Sequence, residues 1–120
     1  MIKSFLDLEV YQESFQLSLE IESLVKSFPQ DEKYLLVDQA RRASRAIPAI
    51  IAEGYAKRES LKEFQKFLRD AVAEANEMIN HIAFAKAKGY IKSDYADQWI
   101  ERYNILGKKL TNLKEKWRKF

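Results

Sequence analysis

The chain has 120 residues with a formal net charge of +3, and 47% of them are hydrophobic. Three glycines and two prolines are too few for an all-β domain or a disordered chain. The absence of cysteine excludes disulfide frameworks, zinc fingers and thiol catalysis. A chain of this length can bury a core of its own, so we expect a single domain over residues 1–120.

The sequence holds no apolar run long enough to span a membrane. Its first residues reach Asp7 too early for a secretory signal peptide. We therefore expect a cytoplasmic protein with no membrane partner.

The charges are distributed unevenly along the chain. Residues 1–32 hold seven acidic and two basic residues, whereas residues 101–120 hold seven basic and two acidic ones. Opposite charges of this kind can pair side by side within a bundle, orient subunits, or face nucleic acid. The sequence leaves these three interpretations open.

The first half of the chain predicts two helices. The first runs from about Asp7 to Lys26, and Pro29 ends it because proline disfavours helix at the residue before it. The second runs from about Glu32 to Glu53, with Gly54 as its C-terminal cap. Its small and apolar positions repeat every three or four residues, a pattern typical of a packed helix: 36, 40, 43, 47, 50 and 54.

The second half predicts two longer helices. Ser60 and Glu63 have the spacing of a capping box, so the third helix begins there and stops at Gly89. The fourth begins at Asp94 or Ser93. It carries an apolar seam: Ala96, Trp99, Tyr103, Leu106, Leu110, Leu113, Trp117 and Phe120. Sustained seams with short connections predict an all-α, up-down-up-down antiparallel four-helix bundle.

Apolar residues outside the seams favour a homo-oligomer over a monomer with scattered surface aromatics. These residues are Phe5, Tyr34, Phe67, Val72, Ile79, Phe84, Ile91 and Tyr95. The second helix adds a surface of small side chains suited to close approach by another helix: Ala40, Ala43, Ala46, Ala49 and Ala52.

Catalytic and metal-binding patterns are weak. His81 is the only histidine, and its spacing from Glu77 differs from the Glu-x-x-His pattern of di-iron bundles. No serine lies in a Gly-x-Ser-x-Gly context, and the isolated glycines form no phosphate-binding loop. We expect no cofactor and no metal, and a metal-dependent or hydrolytic enzyme is the least supported class.

An arginine cluster is the best candidate for a functional feature. One hypothesis is an ion pair between helices or subunits, joining Arg42 to Glu53 or Glu77. The competing hypothesis is weak, sequence-independent binding of RNA or DNA through phosphate contacts. Its candidate residues are Arg41, Arg45, Lys57, Arg58, Lys108 and Lys109, together with the basic tail that includes Lys114, Lys116, Arg118 and Lys119.

Several segments resemble one known family. The segments are Phe5-x-Asp7-Leu8-Glu9-Val10-Tyr11-Gln12, Phe28-Pro29-x-x-Glu32-x-Tyr34-x-Leu36-x-x-Gln39-x-Arg41-Arg42-Ala43, Ile47-Pro48, Ile51-Ala52-Glu53-Gly54 and Arg58-x-Ser60-x-x-Glu63-Phe64-x-x-Phe67-Leu68. They are similar to the four-helix-bundle family encoded by intervening sequences in bacterial 23S ribosomal RNA genes, and cover the first two thirds of the chain.

The resemblance implies a homopentameric bundle. The chain is also similar to the accessory variability protein of diversity-generating retroelements. This similarity implies binding to nucleic acid and to a reverse transcriptase, for which the chain would be a protein adaptor. The chain departs from the family pattern at Ala46 and Ile50, where Ser and Asn are usual, and at Ala73-Glu74, where Gly-Ser is usual. These departures affect a binding site more than they affect the fold.

Overall fold

The computed structural model describes residues 1–117, which form four α-helices and no strand. The helices are α1 (Glu9–Leu24), α2 (Leu36–Ala56), α3 (Leu61–Ala87) and α4 (Ser93–Lys116). The predicted all-α fold is confirmed. Arg118, Lys119 and Phe120, predicted to belong to the basic tail and the last seam, lie outside the described residues.

Consecutive helices run antiparallel, because the residue numbers of contacting pairs rise on one helix as they fall on the other. The pairs are Ser18–Ser44 and Glu22–Arg41 (α1 and α2), Gly54–Phe64 and Glu32–Lys88 (α2 with its preceding turn, and α3), Gln65–Lys114 and Lys86–Asp97 (α3 and α4), and Glu13–Lys109 and Glu20–Arg102 (α1 and α4). These contacts arrange the helices in an up-down-up-down bundle.

The first helix is shorter than its predicted extent of Asp7 to Lys26. Asp7 belongs to a 3-10 turn, Phe5–Asp7, whose N-terminus is capped by Ser4. The Asp7 carboxylate accepts a hydrogen bond from the Ser4 backbone N–H, at 3.3 Å. A second 3-10 turn, Val25–Ser27, tightens the chain at the end of α1.

The second helix begins and ends later than predicted. A 3-10 turn at Gln30–Glu32 and the non-helical backbone of Leu35 delay its start to Leu36. It continues to Ala56, so the prediction that Gly54 is its C-terminal cap is wrong. Gly54 is buried inside the helix.

Gly54 is required by the contact between α2 and α3. A Cβ at this position would lie 2.6 Å from Phe67 Cβ and 3.3 Å from Phe64 Cδ1. Phe67 Cβ is fixed to the α3 backbone, so a larger residue would push the two helices apart. The small residue therefore sets the distance between α2 and α3.

The starts and stops of the last two helices follow the sequence closely. Ser60 Oγ accepts a hydrogen bond from the Glu63 N–H at 3.2 Å, while the Ser60 N–H donates to the Lys57 carbonyl. Only half of the predicted capping box is therefore present. Gly89 has a φ of +77°, a left-handed conformation that favours glycine and ends α3.

The core follows the predicted seams. Phe64, Met78, Tyr103 and Leu106 are each no more than 1% exposed. Near the end of the bundle where α2 meets α3, the Phe64 ring contacts the Trp117 ring edge-on, with centroids 5.0 Å apart. No helix within residues 1–117 is long and apolar enough to cross a membrane.

A buried carboxylate fixes the opposite end of the bundle. Glu32 is 7% exposed and accepts a hydrogen bond from the Tyr90 hydroxyl at 2.8 Å. Lys88 Nζ lies 3.4 Å from the same carboxylate. The Tyr90 hydrogen bond is the main cause that lowers the pKa of Glu32, and it raises the pKa of Tyr90.

The glycines of α2 and α4 give opposite predictions. Gly54→Ala should destabilise the protein by about 1 kcal/mol or more, because overpacking outweighs the gain in helix propensity. Gly107→Ala should stabilise it by about 0.5–1 kcal/mol, because nothing lies within 4 Å of the added Cβ. Urea unfolding of both variants measures the two changes, and shifts in the same direction would contradict this packing.

The Glu32–Tyr90 contact predicts a pH-dependent stability. Tyr90→Phe should lower the free energy of unfolding at pH 7, since the Glu32 carboxylate loses a hydrogen-bond donor. The folded-state pKa of Glu32 lies below its unfolded value of about 4.3. The contribution of the ionised Glu32 carboxylate to the free energy of unfolding is therefore complete above its unfolded-state pKa. It is lost as the pH falls through its folded-state pKa.

Unfolding at a series of pH values checks this expectation. The difference between wild type and Tyr90→Phe should be constant near neutrality and shrink below about pH 4. Tyr95→Phe is the control, because the exposed Tyr95 hydroxyl makes no hydrogen bond within residues 1–117. A difference that persists unchanged in acid would show that Tyr90 does not act through the Glu32 carboxylate.

Candidate nucleic-acid interface

Two of the predicted phosphate-binding arginines share a carboxylate of α1. Arg45 Nε lies 2.9 Å from Glu22 Oε1, and Arg41 Nε lies 4.0 Å from the same oxygen. Half-exposed pairs of this kind add little stability. They do reduce the net charge of the surface around Arg41 and Arg45.

Lys109 is also paired with α1. Its ammonium donates to Glu13 at 2.6 Å and to Glu9. These hydrogen bonds raise the pKa of Lys109, and the bond to Lys109 lowers the pKa of Glu9. Lys109 is therefore part of the contact between α1 and α4, and its charge is balanced within the chain.

The same seam holds a second pairing. Arg102 of α4 donates two hydrogen bonds of 2.9 Å to the Glu20 carboxylate, a bidentate geometry. The hydrogen bonding lowers the pKa of Glu20. The acidic first helix and the basic last helix therefore pair within one bundle, which was one of the three interpretations of the charge asymmetry.

Lys57 and Arg58 have a different environment at the turn between α2 and α3. Lys57 Nζ lies 4.9 Å from the centroid of the Phe67 ring, and the Arg58 guanidinium lies 4.1 Å from that of Tyr55. Arg58 also donates to the Tyr55 carbonyl at 3.0 Å. Aromatic and carbonyl partners hold the two side chains without cancelling their charges.

Further cations without a carboxylate partner lie near this turn. We define the basic end as the residues of this region that form no ion pair within residues 1–117: Lys57, Arg58, Lys62, Arg69, Lys108, Lys114 and Lys116. Glu59, Glu63 and Glu115 lie in the same region. Lys3, which precedes α1, also forms no ion pair within residues 1–117, and three further lysines without a carboxylate partner, Lys26, Lys33 and Lys92, lie at the opposite end of the bundle.

The structure thus divides the predicted nucleic-acid residues. Lys57, Arg58 and Lys108 belong to the basic end, whereas Arg41, Arg45 and Lys109 are paired with α1 carboxylates. Arg45 and Lys57 are separated by about 18 Å along α2, from the helical rise per residue. The six residues do not form one patch.

Arg69 was missed from the sequence. It shares a face of α3 with Gln65 and Val72, at spacings of four and three residues. Gln65 contacts the Lys114 carbonyl of α4, which places this face at the α3–α4 seam. The spacing of Gln65, Arg69 and Val72 is visible in the sequence, but only the packing of α4 shows which side of α3 these residues occupy.

The proposed ion pair of Arg42 is not formed within one chain. Arg42 Nε contacts Asp38 Oδ2 of its own helix at 3.1 Å. Glu53 is exposed, and it has no partner in the part of the chain that the structure describes. Glu77 lies 3.5 Å from His81. A pair between subunits stays a prediction.

His81 is a buried residue of α3, 8% exposed. Next to it, the pKa of Glu74 is raised by burial and by the like charge of Glu77. No group of three or more metal-ligating side chains comes together within residues 1–117. The structure thus offers no built metal site around His81.

An apolar groove separates the outer edges of α1 and α2. Its residues include Phe5, Tyr11, Phe15, Leu19, Pro48, Ala49 and Ala52, with Glu22 and Arg45 at its rim. The cavity has a volume of about 460 Å³. Phe15 is 47% exposed and Leu19 52%. We call these residues the α1–α2 groove.

Comparisons with known proteins agree with the observed fold. The model of the 23S rRNA-intervening sequence protein family matches residues 6–112. A crystal structure from Bacteroides thetaiotaomicron VPI-5482 is similar with a TM-score of 0.79 and 22% identity, over 88% of this chain and 98% of that one. It is described as a protein with unknown function from the S23 ribosomal protein family.

A search of the curated proteins gave no match. The family match extends over most of the chain and includes the segments that resemble the family in sequence. The chain belongs to the 23S rRNA-intervening sequence protein family.

Proposed function

We propose that this protein is a non-enzymatic helical bundle that binds RNA or DNA without marked sequence preference, through its basic end. The observation that carries the proposal is the set of unpaired cations around the α2–α3 turn and the last turns of α4. Phosphate contacts provide affinity without reading base sequence. The predicted cytoplasmic location is compatible with an RNA ligand.

The pairing of charges elsewhere supports this choice of surface. A cation that already contacts a carboxylate must lose that contact, or bring the negative charge with it, when it binds phosphate. Lys62 and Lys114 carry no such cost, because neither contacts a carboxylate within residues 1–117. A formal charge of +3 for the whole chain therefore understates the local potential at the basic end.

The proposal predicts different effects for two double variants. Lys62→Gln with Lys114→Gln should weaken binding of a mixed-sequence RNA and lower the slope of log K against log salt by about 1.4–1.8. Arg41→Gln with Arg45→Gln removes the same formal charge but should change both quantities little, since Glu22 already pairs with these arginines. Fluorescence anisotropy at about 50–200 mM salt measures both.

Equal losses in the two double variants would mean that net charge, rather than the basic end, governs binding. Absence of RNA binding by the wild-type protein at the lowest salt would contradict the proposed nucleic-acid binding. Circular dichroism confirms that each variant retains its helices.

A second observation favours self-association. The α1–α2 groove exposes Phe15 and Leu19 beside Ala49, and an exposed apolar surface of this kind is typical of contacts between proteins. We propose that a second copy of the chain covers this groove. A homopentamer, which the resemblance implies, would bring five basic ends together and strengthen weak phosphate contacts through multivalency.

Light scattering tests the assembly. The wild-type protein should have a mass that is a multiple of the 14.1 kDa chain, five times that mass for a pentamer. Phe15→Glu should reduce the mass, because it places a charge in the apolar contact. Phe84→Glu is the matched control, since Phe84 is 54% exposed and lies outside the groove.

A wild-type mass near one chain at micromolar concentration would contradict self-association. An unchanged mass for Phe15→Glu, with a reduced mass for Phe84→Glu, would assign the contact to the other surface.

A further inference from the structure

A polar groove runs between α3 and α4, on the side of the bundle away from the α1–α2 groove. It has a volume of about 380 Å³, and its lining includes Asn76 of α3 and Asn104, Lys108, Thr111 and Asn112 of α4. We call these residues and Gly107 the amide groove. Three asparagines line the amide groove, whereas the α1–α2 groove has none in its lining.

Gly107 lines the amide groove beside open space. It lies inside α4, and nothing is found within 4 Å of the position that a Cβ would occupy. Gly107 therefore makes no close contact with another helix within residues 1–117. Glycine in a helix interior costs about 1 kcal/mol relative to alanine, and here that cost is not offset by packing within the chain.

The polar side chains of the groove face solvent, so a ligand can replace the water around them. The amides of Asn76, Asn104 and Asn112 and the hydroxyl of Thr111 make no hydrogen bond to other described residues. Each amide offers one acceptor and two donors. Together they can pair with a ligand that presents several donors and acceptors along one edge.

The charge of the groove indicates the kind of ligand. Lys108 lies in the lining, and Arg69 is three residues from Val72 on the same face of α3. Neither cation forms an ion pair within residues 1–117. Glu115 is the single carboxylate of the lining, at the far end of the groove from Asn104. Amides beside unpaired cations match the base edges and phosphates of a nucleotide.

We propose that the amide groove holds the unpaired nucleotides of a single-stranded nucleic acid, and so makes the protein prefer single strands to duplexes. The bases of a single strand expose their Watson–Crick edges, which asparagine amides can contact. In a duplex these edges are already paired with the opposite strand. This inference rests on the proposed nucleic-acid binding and assigns to it a second, hydrogen-bonding contact. An extended peptide is the competing occupant, which the unpaired cations disfavour.

Three variants separate the amide groove from the basic end. Gly107→Leu fills the groove without changing any charge, and Gln98→Leu, at an exposed position of α4 outside the groove, is its control. Asn76→Ala with Asn104→Ala removes two amides at exposed positions, where alanine favours the helix. The probes are a labelled 12-nucleotide RNA of mixed sequence and its duplex, measured by anisotropy at about 50–200 mM salt.

We expect Gly107→Leu and the double alanine variant to weaken single-strand binding about tenfold, a typical loss for removed hydrogen bonds. Gln98→Leu should bind like wild type. The salt slope of the double alanine variant should not change, because the substitutions remove no cation. Preference for the single strand over the duplex should disappear with the groove.

Other results overturn the inference in distinguishable ways. Wild-type affinity in both groove variants, with weaker binding in Lys62→Gln/Lys114→Gln, would leave the proposed function intact and remove the groove from it. Absence of binding by wild type would overturn both. If Gly107→Leu fails to fold, the double alanine variant decides. Displacement of the RNA by an unstructured neutral peptide would assign the groove to a peptide.

Discussion

The pairing of the α1 carboxylates with the cations of α2 and α4 determines which charges of this protein remain available. Glu22 faces Arg45, Glu20 faces Arg102, and Glu13 faces Lys109. These contacts lie at the surface of a helix whose buried residues, such as Leu17 and Ile21, pack in the core. They also remove the most conspicuous arginines of the sequence from the surface that can bind phosphate.

The remaining cations owe their position to the turn between α2 and α3. Gly54 lets the two helices approach closely just before the turn, and the rings of Tyr55, Phe64 and Trp117 pack edge-on at the same end. The rings and helices of this end therefore pack directly against one another. Lys57 and Arg58 leave the end of α2 against aromatic faces, so their charges are held in place without being neutralised.

The fold could be predicted from the sequence because the apolar spacing of α3 and α4 is long and regular. The limits of α2 were predicted less well, since Glu32 looks like a helix start but instead accepts a hydrogen bond from Tyr90, 58 residues away in the chain. Gly54 was read as a cap because a local pattern does not show Phe67 of the next helix. Long-range contacts decided both positions.

The candidate site was harder to predict for the same reason. Arg41 and Arg45 look like a phosphate-binding pair until Glu22 of another helix is placed beside them. Conversely, the spacing of Arg69 on α3 does not show which neighbouring helix it faces, and only the packing of α3 on α4 brings Asn76 and Asn104 to one groove. Charge at a surface depends on which residues the fold places together.

The central claim is that the basic end and the amide groove, rather than the arginine cluster of α2, contact nucleic acid. Photo-crosslinking of a 4-thiouridine-substituted single-stranded RNA to the wild-type protein, with the crosslinked peptides identified by mass spectrometry, tests it most directly. The account predicts crosslinks to the α2–α3 turn, to α3 between Lys62 and Asn76, and to α4 between Asn104 and Lys116. Crosslinks centred on Arg41 and Arg45 would contradict it.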